Sequence, residues 1–147
     1  MKPTSRMTAK KQKNIISGYA RMWPREVYDL GWGKGAIAEI RREVETRLGG
    51  PGVYVLYRDD QPYYIGQTKV PLHKRIYAHA NMSGDAYFNF WNFFSAFVVP
   101  DISHLGEIEG ILIASTPTAN SAKPRIPRIN LPKAVPKALQ RLRKAGF

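Results

Sequence analysis

Apolar positions along this chain change period several times, and each change predicts an element. Residues 1–13 are polar and basic and read as a mobile arm. Ile15, Ile16, Tyr19, Met22 and Trp23 then recur at spacings of three and four, which predicts a short helix ending at Pro24. Gly31, Gly33 and Gly35 mark a loop. Its Gly-Trp-Gly-Lys-Gly run has no apolar strand before it and the wrong lysine spacing for a phosphate-cradling loop. A helix is predicted over 36–48. Ile37, Ile40, Val44 and Leu48 share one face there, and Arg41, Arg42, Glu43 and Glu45 lie elsewhere. Gly49-Gly50-Pro51-Gly52 stops it.

The next two segments, 53–57 and 62–67, are β-rich runs separated by Arg58-Asp59-Asp60-Gln61, which predicts a hairpin. Tyr54 and Tyr64 are an even number of residues apart, so a loop of three or five residues would set them opposite each other on one face. A helix follows over 72–80 with Leu72, Ile76 and Ala80 on one stripe, then a loop over 81–85. The aromatic and β-branched run 91–99 predicts a third strand. A helix runs from Ser103 or His104 to Ala114, its inward residues being Leu105, Ile108, Leu112 and, less clearly placed, Ile111. Residues 115–136 are proline-bearing and aperiodic and should wrap the surface in extended form, before a short basic helix over 137–145. The expected fold is α/β of the α+β type: a small, mainly antiparallel three-stranded sheet flanked by helices. Three spans follow: a basic helical extension 1–49, a module 50–121 and a basic proline-rich tail 122–147.

Composition narrows this picture. A chain of 147 residues with 44% hydrophobic residues can bury one real core. No apolar run reaches the roughly 18 residues of a membrane span. The basic start has no apolar segment behind it, so no secretion signal is expected there; an organellar transit peptide would be richer in Arg and Ser. The absence of cysteine excludes a disulfide framework, a thiolate metal site and a cysteine nucleophile. The expected location is intracellular, cytoplasmic or nucleoid-associated.

Charge changes the picture most. The formal net charge is +12, and it is uneven: +6 over residues 1–49, −2 over 50–120 and +8 over 121–147, where no acidic residue occurs. Basic ends around a near-neutral centre suggest ends that hold a polyanion and a centre that acts on it. A soluble protein with solvated lysines is the plain alternative.

The centre carries the candidate chemistry. Tyr54 and Tyr64 could be cross-strand aromatic packing or phenols at a site. Gly66 would let a backbone or a phosphate come close. Arg75 and His79, four apart, share a helix face beside the apolar stripe. Glu109 sits one position from the apolar stripe of its helix, and Asn120 lies in a loop after Pro117. Together they offer groups able to neutralise a phosphate, hold a divalent cation and activate water. Trp23, Trp32, Tyr87, Phe88, Phe90, Trp91, Phe93 and Phe94 could stack on bases, although those from Phe88 onward alternate like a core strand.

In order and spacing these residues resemble the GIY-YIG nuclease family. Gly52-Val53-Tyr54 looks like its first motif, with valine for isoleucine, and Tyr64-Ile65-Gly66 matches the second. Arg75 and His79 resemble the family's Arg-x-x-x-His, Glu109 in Glu-x-x-Leu-Ile its metal-binding glutamate, and Asn120 in Pro-x-x-Asn its terminal asparagine, with Asn130 a second match to that pattern. The likeness covers about half of the chain. It implies a DNA endonuclease using one Mg²⁺ (or Mn²⁺) on Glu109. Arg75 would hold phosphate oxygens, Tyr54 would be the base, Tyr64 would orient water or phosphate, His79 would assist, and Asn120 would fix the site. Gly66, Lys69, Lys74, Lys123, Arg125 and Arg128 would touch the nucleic acid. DNA is the expected partner and RNA the lesser one, with a homodimer serving double-strand cleavage. A module that binds without cutting is the alternative.

Overall fold

The structure, a computed structural model, describes residues 14–85, 89–118 and 123–146. Its centre is a four-stranded antiparallel sheet: β1 (Gly18–Pro24), β2 (Gly52–Arg58), β3 (Gln61–Thr68) and β4 (Phe93–Val98), in spatial order β1-β4-β2-β3. Four α-helices accompany it among the described residues: α1 (Ala36–Arg47), α2 (Leu72–Asn81), α3 (Leu105–Ser115) and α4 (Ala134–Lys144). The expected α/β class holds. The expected strand count of three does not, because the first apolar segment is β1 and not a helix.

The reason lies in one extra residue. Gly18, Tyr19 and Ala20 pair with Val98, Phe97 and Ala96, but Trp23 pairs with Phe94, so β1 carries a bulge between Ala20 and Trp23. Met22, inside the bulge, takes φ 52 and donates its amide to Ser95 Oγ at 3.1 Å. The bulge brings Ala20 and Trp23, three apart, onto the same core. A spacing of three produced by a bulged strand looks like helical periodicity.

Side-chain alternation divides the sheet into two faces. On one, Tyr54, Leu56, Phe94 and Ala96 pack with Val44 of α1, with Leu48 just beyond it and with Leu72, Ile76 and Ala80 of α2. On the other, Val53, Val55 and Ile65 pack with Leu105, Ile108 and Leu112 of α3. Burying each large aliphatic side chain contributes about 1.5–3 kcal/mol. Ile111 is 59% exposed and faces outward. The predicted stripe of α2 is completely buried at Leu72 and Ile76.

The β2–β3 hairpin turns through two residues, Asp59 and Asp60, between paired Arg58 and Gln61. Asp59 takes φ 57, a conformation Asp tolerates, and Asn92 bonds both its amide and its carboxylate. The register shifts between Leu56 and Tyr57, so Tyr54 opposes Gly66 and Leu56 opposes Tyr64. The two tyrosines therefore share a face as diagonal neighbours, not as a direct pair.

Candidate functional site

Helix α2 and the β2–β3 hairpin meet at a hydrogen-bonded chain of four side chains. Arg75 Nε donates to Tyr54 Oη at 3.3 Å, and Tyr54 Oη lies 2.8 Å from His79 Nε2. His79 Nδ1 lies 2.8 Å from an Asp85 carboxylate oxygen. The order fixes the protons. A carboxylate accepts, so Nδ1 carries the imidazole hydrogen, Nε2 accepts, and the Tyr54 hydroxyl donates to it. The spacing of four between Arg75 and His79 puts both within reach of the same phenol oxygen, as expected for one helix face.

Burial sets the electrostatics. Tyr54 is 0% exposed, and that burial, with Tyr64 beside it, holds its hydroxyl well above the ordinary phenol pKa of 10.0 despite the opposing guanidinium. Burial likewise depresses His79, 1% exposed, below its ordinary 6.5, against the pull of Asp85. The imidazole is neutral at pH 7. Arg75 keeps its charge, since its hydrogen bond to Tyr54 raises its pKa further. Its side chain is exposed. The guanidinium is thus anchored by Nε and presents its outer nitrogens to solvent, the arrangement suited to a phosphate.

Tyr64 is half-buried, its ring centroid 6.2 Å from Tyr54 and 5.7 Å from His79. Gly66 lies underneath. A Cβ there would stand 2.5 Å from Tyr54 Oη and 2.9 Å from the Tyr64 ring. The close approach that this glycine allows is that of two phenols, and Gly66 is itself buried, which leaves it no surface for a nucleic acid. Gly52 serves packing in the same way: a Cβ would meet the Phe97 carbonyl oxygen at 2.0 Å. The far end of α2 is tied down by Arg25, which donates to the Ala80 carbonyl at 2.7 Å and the Trp91 carbonyl at 3.2 Å.

Glu109 is elsewhere. On β3, Gly66 faces α2 and the next residue, Gln67, faces α3. Gln67 Nε2 donates to Glu109 Oε1 at 2.9 Å. Among the described residues Arg75 makes no ion pair, and its hydrogen-bond partner is Tyr54 rather than Glu109. The expected ring of carboxylate, guanidinium and phenols is therefore split into two parts by the edge strand β3. Asn120 lies outside the described residues, and Asn130 is exposed. Lys69, Lys74, Lys123, Arg125 and Arg128 are all exposed. The tail crosses α3 at Gly110, within van der Waals reach of Ile126 and the Arg125 backbone, so its cations run past the helix that carries Glu109.

As a cation site, Glu109 offers one hard oxygen ligand, held in place by Gln67. That suits Mg²⁺ or Mn²⁺ retaining most of its waters and no metal that needs a protein cage. Among the described residues no group of three His, Asp, Glu or Cys side chains could hold a metal ion.

Two members of this site escaped the sequence reading. Asp85 lay in a loop six residues past His79 with no periodicity to mark it. Gln67 marks only the end of a strand in the sequence, although its place next to Gly66 on an edge strand is a signal for it. Among the candidate stacking residues, Trp91 and Phe94 are core, while Trp32 is 80% exposed. No protein-family model, curated protein or solved structure matches the chain. Among the described residues no helix is long and apolar enough to cross a membrane.

Proposed function

We propose that this chain is a GIY-YIG-type endonuclease that hydrolyses DNA phosphodiester bonds with a divalent cation. The observation that carries the reading is the anchored guanidinium: Arg75, exposed, held by buried Tyr54 and His79 and, behind them, half-buried Asp85. A fold seldom spends two buried polar groups and a carboxylate behind them on one surface arginine unless its direction matters. The order of Gly52-Val53-Tyr54, Tyr64-Ile65-Gly66, Arg75, His79 and Glu109 supports the same reading.

In this reading Arg75 grips two oxygens of the scissile phosphate and offsets the charge that develops there. Tyr54 is a positioning residue and not the base, because a fully buried, strongly protonated phenol neither reaches water nor yields its proton at pH 7. His79 and Asp85 hold the Tyr54 hydroxyl in the direction that receives Arg75. Tyr64, at the surface of the cluster, orients the attacking water. A cation on Glu109 would supply Lewis-acid stabilisation of the phosphate and the departing oxygen. The substrate backbone would lie across the open edge of β3, where Glu109 and Arg75 approach from opposite faces.

A second reading has its own observation. Because Glu109 is bonded to Gln67 across the strand from Arg75, the chain could bind nucleic acid without cutting it. Incubating supercoiled, linear and branched DNA with Mg²⁺ or with EDTA separates the two. Nicking in Mg²⁺ that is lost in Arg75→Ala and Glu109→Ala, with binding largely kept, supports the nuclease. Retained binding with no cleavage in Mg²⁺ or Mn²⁺ supports the binder, and normal cutting by Glu109→Ala removes the metal assignment.

A further inference from the structure

A cavity of about 270 Å³ lies where the 27–32 segment, α1 and α2 come together. It is smaller than the roughly 300–1,000 Å³ that drug-sized ligands occupy. A single planar ring system suits it. Tyr28, Trp32 and Tyr77 give it aromatic walls, and Arg41 and Lys74 stand around it with Glu45. The Arg41 guanidinium covers one side of the Trp32 indole, 3.6 Å from its centroid, and also donates to the Gly31 carbonyl. Trp32 is nevertheless 80% exposed, so the rest of the indole is open to a second flat group. An exposed tryptophan fixed by a cation is costly to leave in water and useful for stacking. Tyr28 is 8% exposed, and its buried hydroxyl has no hydrogen-bond partner among the described residues. A ligand edge bearing donors could pair with the Glu45 carboxylate.

Aromatic walls, a carboxylate for a ring's N–H donors and two cations for an attached anion describe the site of a nucleotide. We propose that this cavity binds one unpaired nucleobase of a nucleic-acid strand, stacked against Trp32 and Tyr77, with Arg41 and Lys74 on its phosphates. The proposal rests on the reading of the chain as a nuclease and deepens it by naming a substrate class. Positions on α2 set the relation between the two sites. His73, Lys74 and Tyr77 line the cavity, Arg75 and His79 serve the hydrogen-bonded chain, and the buried Leu72–Ile76–Ala80 stripe runs between them. A helix is about 10 Å across. That distance is about three steps of a DNA strand at 3.4 Å each. The preferred substrate therefore has a single-stranded or distorted stretch within a few nucleotides of the phosphate at Arg75, where a base leaves its stack at little cost.

The test compares two oligomers of equal charge and length in EDTA: oligo(dT) and its fully abasic counterpart. The intact chain should bind oligo(dT) roughly 5- to 100-fold more tightly, the range expected for base–aromatic stacking. Trp32→Ala and Tyr77→Ala should each collapse that ratio toward one in variants that still unfold cooperatively, the abasic oligomer reporting any general loss of binding in the same variant. Equal affinities in the intact chain, or a preference for oligo(dT) that survives both substitutions, would overturn the proposal. Because no cleavage is measured, the two ideas fail separately. Nicking in Mg²⁺ without a base preference removes the cavity assignment alone. A base preference without nicking removes the nuclease alone.

Discussion

A phenol with no exposed surface cannot deprotonate bulk water, and this moves Tyr54 from chemistry to positioning. Its hydroxyl stands between a donor, Arg75 Nε, and an acceptor, His79 Nε2, and the second contact needs the proton to stay. Tyr54→Phe keeps the ring over Gly66 and removes the oxygen. Cleavage should fall about 10- to 100-fold, as for a misdirected phosphate contact, while the pH–rate profile keeps its shape. Loss of an alkaline or neutral limb in that variant would restore Tyr54 as base. His79 supplies a stability prediction with a definite sign. Burial holds its folded pKa below 6.5, so the unfolded chain takes up a proton first as the pH falls. This contribution is therefore complete above about pH 6.5 and is lost progressively below it, until the folded imidazole also protonates. Urea unfolding at pH 8, 7, 6 and 5.5 should show a decline below pH 6.5 that is shallower in His79→Gln. An identical slope in the variant would show that His79 contributes nothing to acid sensitivity.

At the scale of elements, glycine positions carry more of the site than glycine usually does. Gly66→Ala pushes a methyl into two phenol rings, which can swing aside at a cost of about 1–3 kcal/mol. Gly52→Ala pushes one into the Phe97 carbonyl, which belongs to a central strand and cannot move alone. Chemical denaturation should rank Gly52→Ala as the more damaging, at about 3 kcal/mol or more. Cleavage should rank them differently, with Gly66→Ala folded but nearly inactive because its phenols no longer direct Arg75. Equal stability losses would refute the distinction. The same scale explains what could be read in advance. The hairpin, α1, α2 and α3 were legible because turn residues and apolar stripes of one period mark them. The site was legible on α2 because Arg75 and His79 obey a local spacing. β1 was not, because its bulge changes the spacing of Ala20 and Trp23 from two to three. Asp85 and Gln67 were not, because their roles come from which strand and helix they meet, and residue spacing carries no trace of that.

For the whole molecule, the question is what the +8 charge over residues 121–147 does. None of the tail's described residues belongs to either core cluster. It touches α3 at Gly110, and Lys123, Arg125 and Arg128 remain exposed. Within α4, Lys137, Arg141, Arg143 and Lys144 are exposed as well, with no acidic residue among them. Cations arranged like this raise affinity for a phosphate backbone by releasing counterions, whatever the sequence read. In the proposed reading Arg75 grips the reacting phosphate from the opposite face of the sheet, so these cations serve binding rather than that grip. Binding and cutting should therefore separate by segment. Replacing Lys123, Arg125 and Arg128 with glutamine should weaken DNA binding and flatten the plot of log affinity against log salt by up to about 0.9 per lost phosphate contact. Cleavage at saturating DNA should stay near the level of the unaltered chain. Arg75→Ala should do the reverse, with cleavage gone and the salt slope changed by no more than one contact. A salt slope untouched by the triple replacement would mean that the tail faces solvent, and the source of affinity would then have to be sought around Arg41 and Lys74.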